Sequence, residues 1–308
     1  MEAVETNFLE SFFLSVLEFG GGGKTGYVLM ALVGGLFTWI LTAIGASLVF
    51  FFKSANRKFL DMCLGFTGGV MIAASFWSLL SPAISYVEMQ NSLDPNNPVY
   101  TSIPVWFPPA LGFFFGAFFI YILDKKIPHL HLFDDIKKAE GPKTNLKKTE
   151  LLVLAIALHN IPEGLAVGVA FGALTHPELA GILGPDGEPI FYIGAAIALA
   201  LGIGIQNAPE GFAVSMPLRR QGMSKFKSWQ WGQLSAIVEP IFAVIGALIV
   251  MQMVFILPYA LSFAAGAMIF IVVEEVVPES QNGGNTDIAT MGLIIGFIVM
   301  MILDVSLG

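Results

Sequence analysis

Two six-residue segments share one pattern: His159-Asn160-Ile161-Pro162-Glu163-Gly164 and Gln206-Asn207-Ala208-Pro209-Glu210-Gly211. On a helix, positions i and i+4 differ by about 40° around the axis, and i+1 and i+4 by about 60°. His159, Asn160 and Glu163 therefore share one face, as do Gln206, Asn207 and Glu210. Two such faces set against each other offer nitrogen and oxygen donors of borderline hardness. They suit Zn²⁺, Fe²⁺, Mn²⁺, Co²⁺ or Cd²⁺ rather than Cu⁺, which prefers sulfur. Because several of these groups are protonatable, metal binding is expected to release protons and to depend on pH. The proline before each glutamate removes a backbone hydrogen bond and frees the carbonyls of Leu158 and Ile205. The glycine after each glutamate permits a close helix approach.

The elements that must hold these faces are membrane spans. Of 308 residues 56% are hydrophobic and 12% charged, with a mean hydropathy of +0.76. Ordinary soluble domains have roughly 45–50% apolar and about 25% charged residues, so a soluble fold and a large soluble catalytic domain are excluded. Apolar stretches of spanning length lie near 25–52, 60–87, 106–127, 148–174, 190–218, 228–252, 256–277 and 287–307. Helices are expected, since backbone polar groups must pair internally in lipid and no alternating barrel pattern occurs. The fold class is thus all-α and polytopic, with eight transmembrane helices embedded in the lipid bilayer. Residues 1–24 read as an amphipathic segment, Asn7 to Phe19, followed by a Gly20–Gly23 tether; residues 25–308 form the transmembrane domain. The single cysteine, Cys63, excludes an intrachain disulfide and any CxxC site.

Fourteen of the fifteen lysines and arginines fall in alternate loops, at 53–58, 125–148 and 219–227, with Lys24 the exception. That asymmetry puts the loop 125–147 in the cytoplasm and both termini outside. Scattered in this way, the basic residues form no nucleic-acid surface.

Ionisable groups deep in a span cost several kcal/mol each, about 2.5–3.5 on insertion scales, so each one present needs a reason. His159 lies eleven residues past Lys148, ~16 Å along a helix and near the middle of a ~30 Å core. Glu239, followed by Pro240, reaches a similar depth, as does Met71. Glu274 and Glu275 should lie toward the cytoplasmic mouth and Asp304 toward the outer one. Three carboxylates at mid-membrane repel one another unless protonated or neutralised by a cation. His129 and His131, beside Asp134 and Asp135, form an H-x-H pair expected in a solvated loop, and His176 is expected at the surface.

At the paired HNxPEG and QNxPEG segments the chain resembles the ZIP (Zrt-/Irt-like protein) family of divalent metal transporters, and within it the bacterial GufA-like branch. The resemblance extends to GFTGGVMIAASFWSLLSP, SAIVEPIFAVIGA, AGAMIFIVVEEVVPE and the closing MILDVSLG. It implies eight helices, a homodimer in the cell inner membrane, and a site for one or two metals between spans four and five. By that resemblance His159, Glu163, Gln206, Glu210 and Met71 form the main site. Asn160, Asn207 and Glu239 complete the adjacent one, sharing Glu163 and Glu210. Relatives with a clear second metal carry Asp where this chain has Asn207, so the second position holds one charge less. Some relatives have His-Glu where this chain has Glu274-Glu275.

The expected function is divalent metal transport toward the cytoplasm, with zinc the leading substrate and no resident cofactor. Metal would enter past Asp304 and leave past Glu274 and Glu275, by an elevator-like movement of one helix group against another. An intramembrane zinc hydrolase is the first rival. It usually needs two or three histidine or carboxylate ligands around an open position, whereas only His159 lies deep and no H-E-x-x-H occurs. A metal-selective channel is the second.

Overall fold

In the computed structural model, which describes residues 8–52, 56–93, 103–130, 140–176, 179, 191–220 and 222–307, the chain is helical. Extended pairing among these residues is limited to an isolated bridge between His129 and Glu140. A short α1 (Phe8–Phe19) precedes α2 (Lys24–Ser47), α3 (Arg57–Ala74), α4 (Ser81–Leu93), α5 (Phe107–Lys126) and α6 (Lys148–Ala173). Then come α7 (Ile193–Arg220), α8 (Lys225–Leu234), α9 (Val238–Val250), α10 (Leu257–Ile271), α11 (Val277–Gln281) and α12 (Thr286–Leu307). Eight stretches are long and apolar enough to cross a membrane: Lys24–Phe50, Arg57–Glu88, Phe107–Lys126, Thr149–Ala173, Ile193–Arg220, Lys225–Val250, Leu257–Gln281 and Thr286–Leu307.

Local chemistry fixes their ends. Asn56 caps α3 by accepting from the Lys58 amide at 3.0 Å, Ser224 caps α8 through the Lys227 amide, and prolines open α5 and α10. Three spans are interrupted, each one turn before a proline. Between α3 and α4, Ser75–Leu80 form a π-helical turn ahead of Pro82. Between α10 and α11, Val272–Val276 do the same ahead of Pro278. Both wide turns close with an amide bonding five residues back, Ser81 to Phe76 and Val277 to Val272. Between α8 and α9 the helix opens at Ser235–Ile237 ahead of Pro240, and the Glu239 amide reaches the Ala236 carbonyl at 3.0 Å instead. The ring at position i excludes the carbonyl at i−4, and the chain relieves that clash by widening or breaking. Pro162 and Pro209, by contrast, sit within the continuous helices α6 and α7.

The helix pairs that pack most extensively are α3 with α12, α6 with α9, α5 with α10 and α2 with α7. Glycines set the spacing at the two motifs. A Cβ on Gly164 would lie 2.5 Å from the Glu239 carbonyl oxygen, and one on Gly211 would run into the Thr42 carbonyl. The glycine that follows each motif glutamate thus seats α6 on α9 and α7 on α2. The N-terminal segment is also anchored: Phe13 is buried and stacks on Phe171 of α6 with ring centroids 4.9 Å apart.

Candidate metal centre

The two motif faces meet on α6 and α7, and the interrupted spans complete the wall around them. A cavity runs inward between α3, α6, α7 and the α10–α11 turn. At its deep end stand Met71, His159, Glu163 and Glu210, and Glu275 and Glu279 stand toward its mouth with Leu130. Glu279 lies next to Arg57 at the start of α3, with 3.9 Å between Oε1 and Nη2. The cavity therefore faces the end of the bundle that carries Arg57, Lys148, Arg219 and Arg220. His159 turns its ring outward along this path, Nε2 standing 2.6 Å from Glu275 Oε2.

Behind the deep end lies a second, enclosed group. Asn160, Glu163, Gln206, Asn207 and Glu239 are 0% exposed. Gln206 Nε2 donates to Glu163 Oε1 at 2.5 Å. Asn207 Nδ2 donates to both Glu239 oxygens, each at 2.9 Å, and Asn160 Nδ2 donates to the Ser235 carbonyl at 3.0 Å in the break before α9. That break places Glu239 in the first turn of α9, opposite the α7 motif.

After these bonds, one side-chain oxygen on each of Asn160, Glu163, Gln206, Asn207 and Glu210 remains buried without a hydrogen-bond partner. A buried unpaired polar group costs about 1–3 kcal/mol, so five together cost ~5–15 kcal/mol, as much as a whole fold is worth. Bare acceptors of this kind, two of them carboxylate oxygens, can bind a dication directly.

The remaining sequence-derived residues fall elsewhere. Glu275 lines the cavity, whereas Glu274 is exposed on the outer side of the same π turn. The wide turn alters helical register, and spacing alone does not say which of two adjacent glutamates it turns inward. Asp304, half-buried on α12, accepts from Ser78 Oγ at 2.6 Å. It sits at the opposite end of the bundle, away from the cavity lining. His129 corrects its expected place in a solvated loop: it is fully buried, because its backbone pairs with Glu140 and its ring packs beside Asp124. His176 is part-buried, with Nε2 3.0 Å from the Val250 carbonyl. His131, Asp134 and Asp135 lie outside the described residues.

A sequence model described as ZIP Zinc transporter matches residues 193–304. Zinc transporter ZIP11 of Homo sapiens is 40% identical, the alignment covering 91% of this chain and 98% of that one. Zinc transporter GufA of Myxococcus xanthus is 34% identical over 90% of this chain and 98% of its own. Zinc transporter ZIPB of Bordetella bronchiseptica is 32% identical over 90% of this chain and 81% of its own.

Proposed function

The chain belongs to the ZIP family of zinc transporters, and from that premise we propose that it moves a divalent metal ion, zinc first among them, through the membrane by way of the α6–α7 centre. The observation that carries this reading is the set of five bare, buried acceptor oxygens, two of them on Glu163 and Glu210, gathered near Glu239. Glu163 and Glu210 hold the ion together with His159 and Met71, and Gln206 orients Glu163. Glu239, Asn160 and Asn207 form the adjacent position. Cd²⁺, Fe²⁺ and Mn²⁺ satisfy the same donor chemistry.

By the positive-inside rule the arginine- and lysine-rich end is cytoplasmic, so the cavity faces the cytoplasm and both termini lie outside. His159 then passes the ion to Glu275, toward the cytoplasmic mouth. On the far side Asp304 and Ser78 mark the entry. The four tightest helix pairs divide into two sets, α2, α6, α7 and α9 against α3, α5, α10 and α12. Sliding of one set past the other exposes the centre alternately to the two faces. The chain acts as a carrier, not an enzyme, in the inner membrane and as a homodimer.

Purified protein in liposomes loaded with a zinc-sensitive dye tests the reading. The expected result is zinc influx that saturates at micromolar metal. Flux rising linearly with concentration would identify a channel, and flux equal to that of empty liposomes would remove the proposal.

A further inference from the structure

Arg57 opens α3 at the end of the bundle onto which the cavity faces, and its guanidinium is fixed from several sides. Nε donates to Asp61 Oδ1, one turn along the same helix, at 2.6 Å, and Nη2 donates to the Glu279 carbonyl oxygen of α11 at 3.2 Å. Asp61 is fully buried, and its other oxygen accepts from Asn285 Nδ2, just ahead of α12, at 2.8 Å. The turn between α11 and α12 closes over the pair at Gly283, where a Cβ would run into Asp61 Oδ2 and stand 2.5 Å from Arg57 Nε. A planar guanidinium held by its fork in this way keeps one orientation, and it stays charged at any working pH.

The same guanidinium stands beside a carboxylate that faces the ion's path. Glu279 lines the cavity together with Glu275, four positions earlier, and its Oε1 lies 3.9 Å from Arg57 Nη2. The two contacts of Arg57 differ in kind. At 2.6 Å the bond to Asp61 is a charge-assisted hydrogen bond, whereas 3.9 Å is the limit of an ion pair and leaves the Glu279 carboxylate room for a second cation. A tie between α3 and α11 would be complete with Asp61 and the Glu279 carbonyl. The side chain of Glu279 adds little to that tie, and it is the side chain that borders the cavity.

Glu275, Glu279 and the imidazole of His159, whose Nε2 is 2.6 Å from Glu275 Oε2, are together a donor set able to hold a dication. An ion resting there would block the cavity behind it. A fixed positive charge beside Glu279 weakens the pull of that carboxylate, because it repels the ion that the carboxylate attracts. Asp61, which anchors the guanidinium, does not line the cavity.

We propose that Arg57 is a positioning residue for metal release: it holds Glu279 at the cavity wall and offsets its charge, so that the mouth passes a divalent cation on instead of retaining it. The proposal rests on the transport function proposed above and gives Arg57 and Glu279 a part in it.

Zinc uptake into dye-loaded liposomes, measured as a concentration series, tests it together with equilibrium dialysis against Zn²⁺. Arg57→Gln should lower kcat and KM together, each about tenfold, leaving kcat/KM within about twofold of native, since a slower last step does not alter capture. Half-saturation in dialysis should shift to about tenfold lower zinc. Adding Glu279→Gln should cancel both changes. Glu279→Gln alone should alter uptake less than about twofold, and Arg57→Lys, which keeps the charge, should retain at least about half the native rate. A fall in kcat/KM with KM unchanged, or a defect that Glu279→Gln does not relieve, would make Arg57 a structural tie and overturn the proposal. If Arg57→Gln does not fold because Asp61 is left buried and unpaired, Arg57→Gln/Asp61→Asn removes both partners. The same pattern is then expected at about threefold, and no difference with and without Glu279→Gln overturns the proposal. Native liposomes without flux would remove the transport function itself, whereas native flux that Arg57→Gln leaves unchanged would remove only the part given to Arg57.

Discussion

The two halves of the central donor group use similar residues in different surroundings. Met71, His159, Glu163 and Glu210 border the cavity, where an arriving ion displaces water. Asn160, Asn207 and Glu239 lie behind them, and both Glu239 oxygens already accept from Asn207. An ion entering that half must displace an amide donor that is well satisfied. Donor type alone would rate the two positions alike. Access and prior hydrogen bonding separate them, so that under the proposed function the first would be the position of exchange and the second a more reluctant neighbour.

The strongest way to break this contrast is to remove the carboxylates the two halves share. Glu163→Ala or Glu210→Ala should reduce zinc uptake in liposomes to background, beyond the ~10–100-fold loss typical of residues that merely support a ligand. If either variant retains half the native rate, the division into two positions is wrong. Gln206→Ala, which frees Glu163 Oε1 from its donor, should cost within that ~10–100-fold range in zinc affinity. A titration monitored by the zinc dye would measure it.

Asn207→Asp sharpens the contrast by inverting the enclosed half. Replacing the donor 2.9 Å from both Glu239 oxygens with an acceptor sets two carboxylates face to face. In chelator the melting temperature should fall by about 5 °C. Saturating zinc should recover that loss, and zinc affinity at this position should rise about tenfold, equal to ~1.4 kcal/mol. An unchanged melting temperature in chelator would mean that the Asn207–Glu239 bonds contribute nothing. The smallest effect belongs to the pair on the π turn. Glu275→Gln should slow zinc release about tenfold, whereas Glu274→Gln, on the outer side, should change the rate less than about twofold. Uptake rates for the two variants, side by side, decide it.

Much of this arrangement could be read from the residue order. Spans were legible because an apolar run of about 20 residues has few other uses, and the matched motifs identified α6 and α7 as partners. The three interruptions were not anticipated, although Pro82, Pro240 and Pro278 each mark one. Proline within a long apolar run has two outcomes, a continuous helix as at Pro162 and Pro209 or a break, and neighbouring packing decides between them. The choice between Glu274 and Glu275 depended on one of these interruptions and was hidden with it. His129 was misplaced because its burial arises from a pairing with Glu140 across eleven residues, and no local pattern encodes that contact.

The close seating of Gly164 on Glu239 and of Gly211 on Thr42 has a bearing on how cargo could cross. Glu163, Glu210 and Glu239 ride on helices clasped to one another, while Met71 and Glu275 belong to the opposing set. A shear between the sets would carry the acidic cage along undistorted and swap only a thioether and one outer carboxylate. The dication would then never be stripped bare in mid-journey, and the steepest part of its climb would lie in shedding its hydration shell at the threshold.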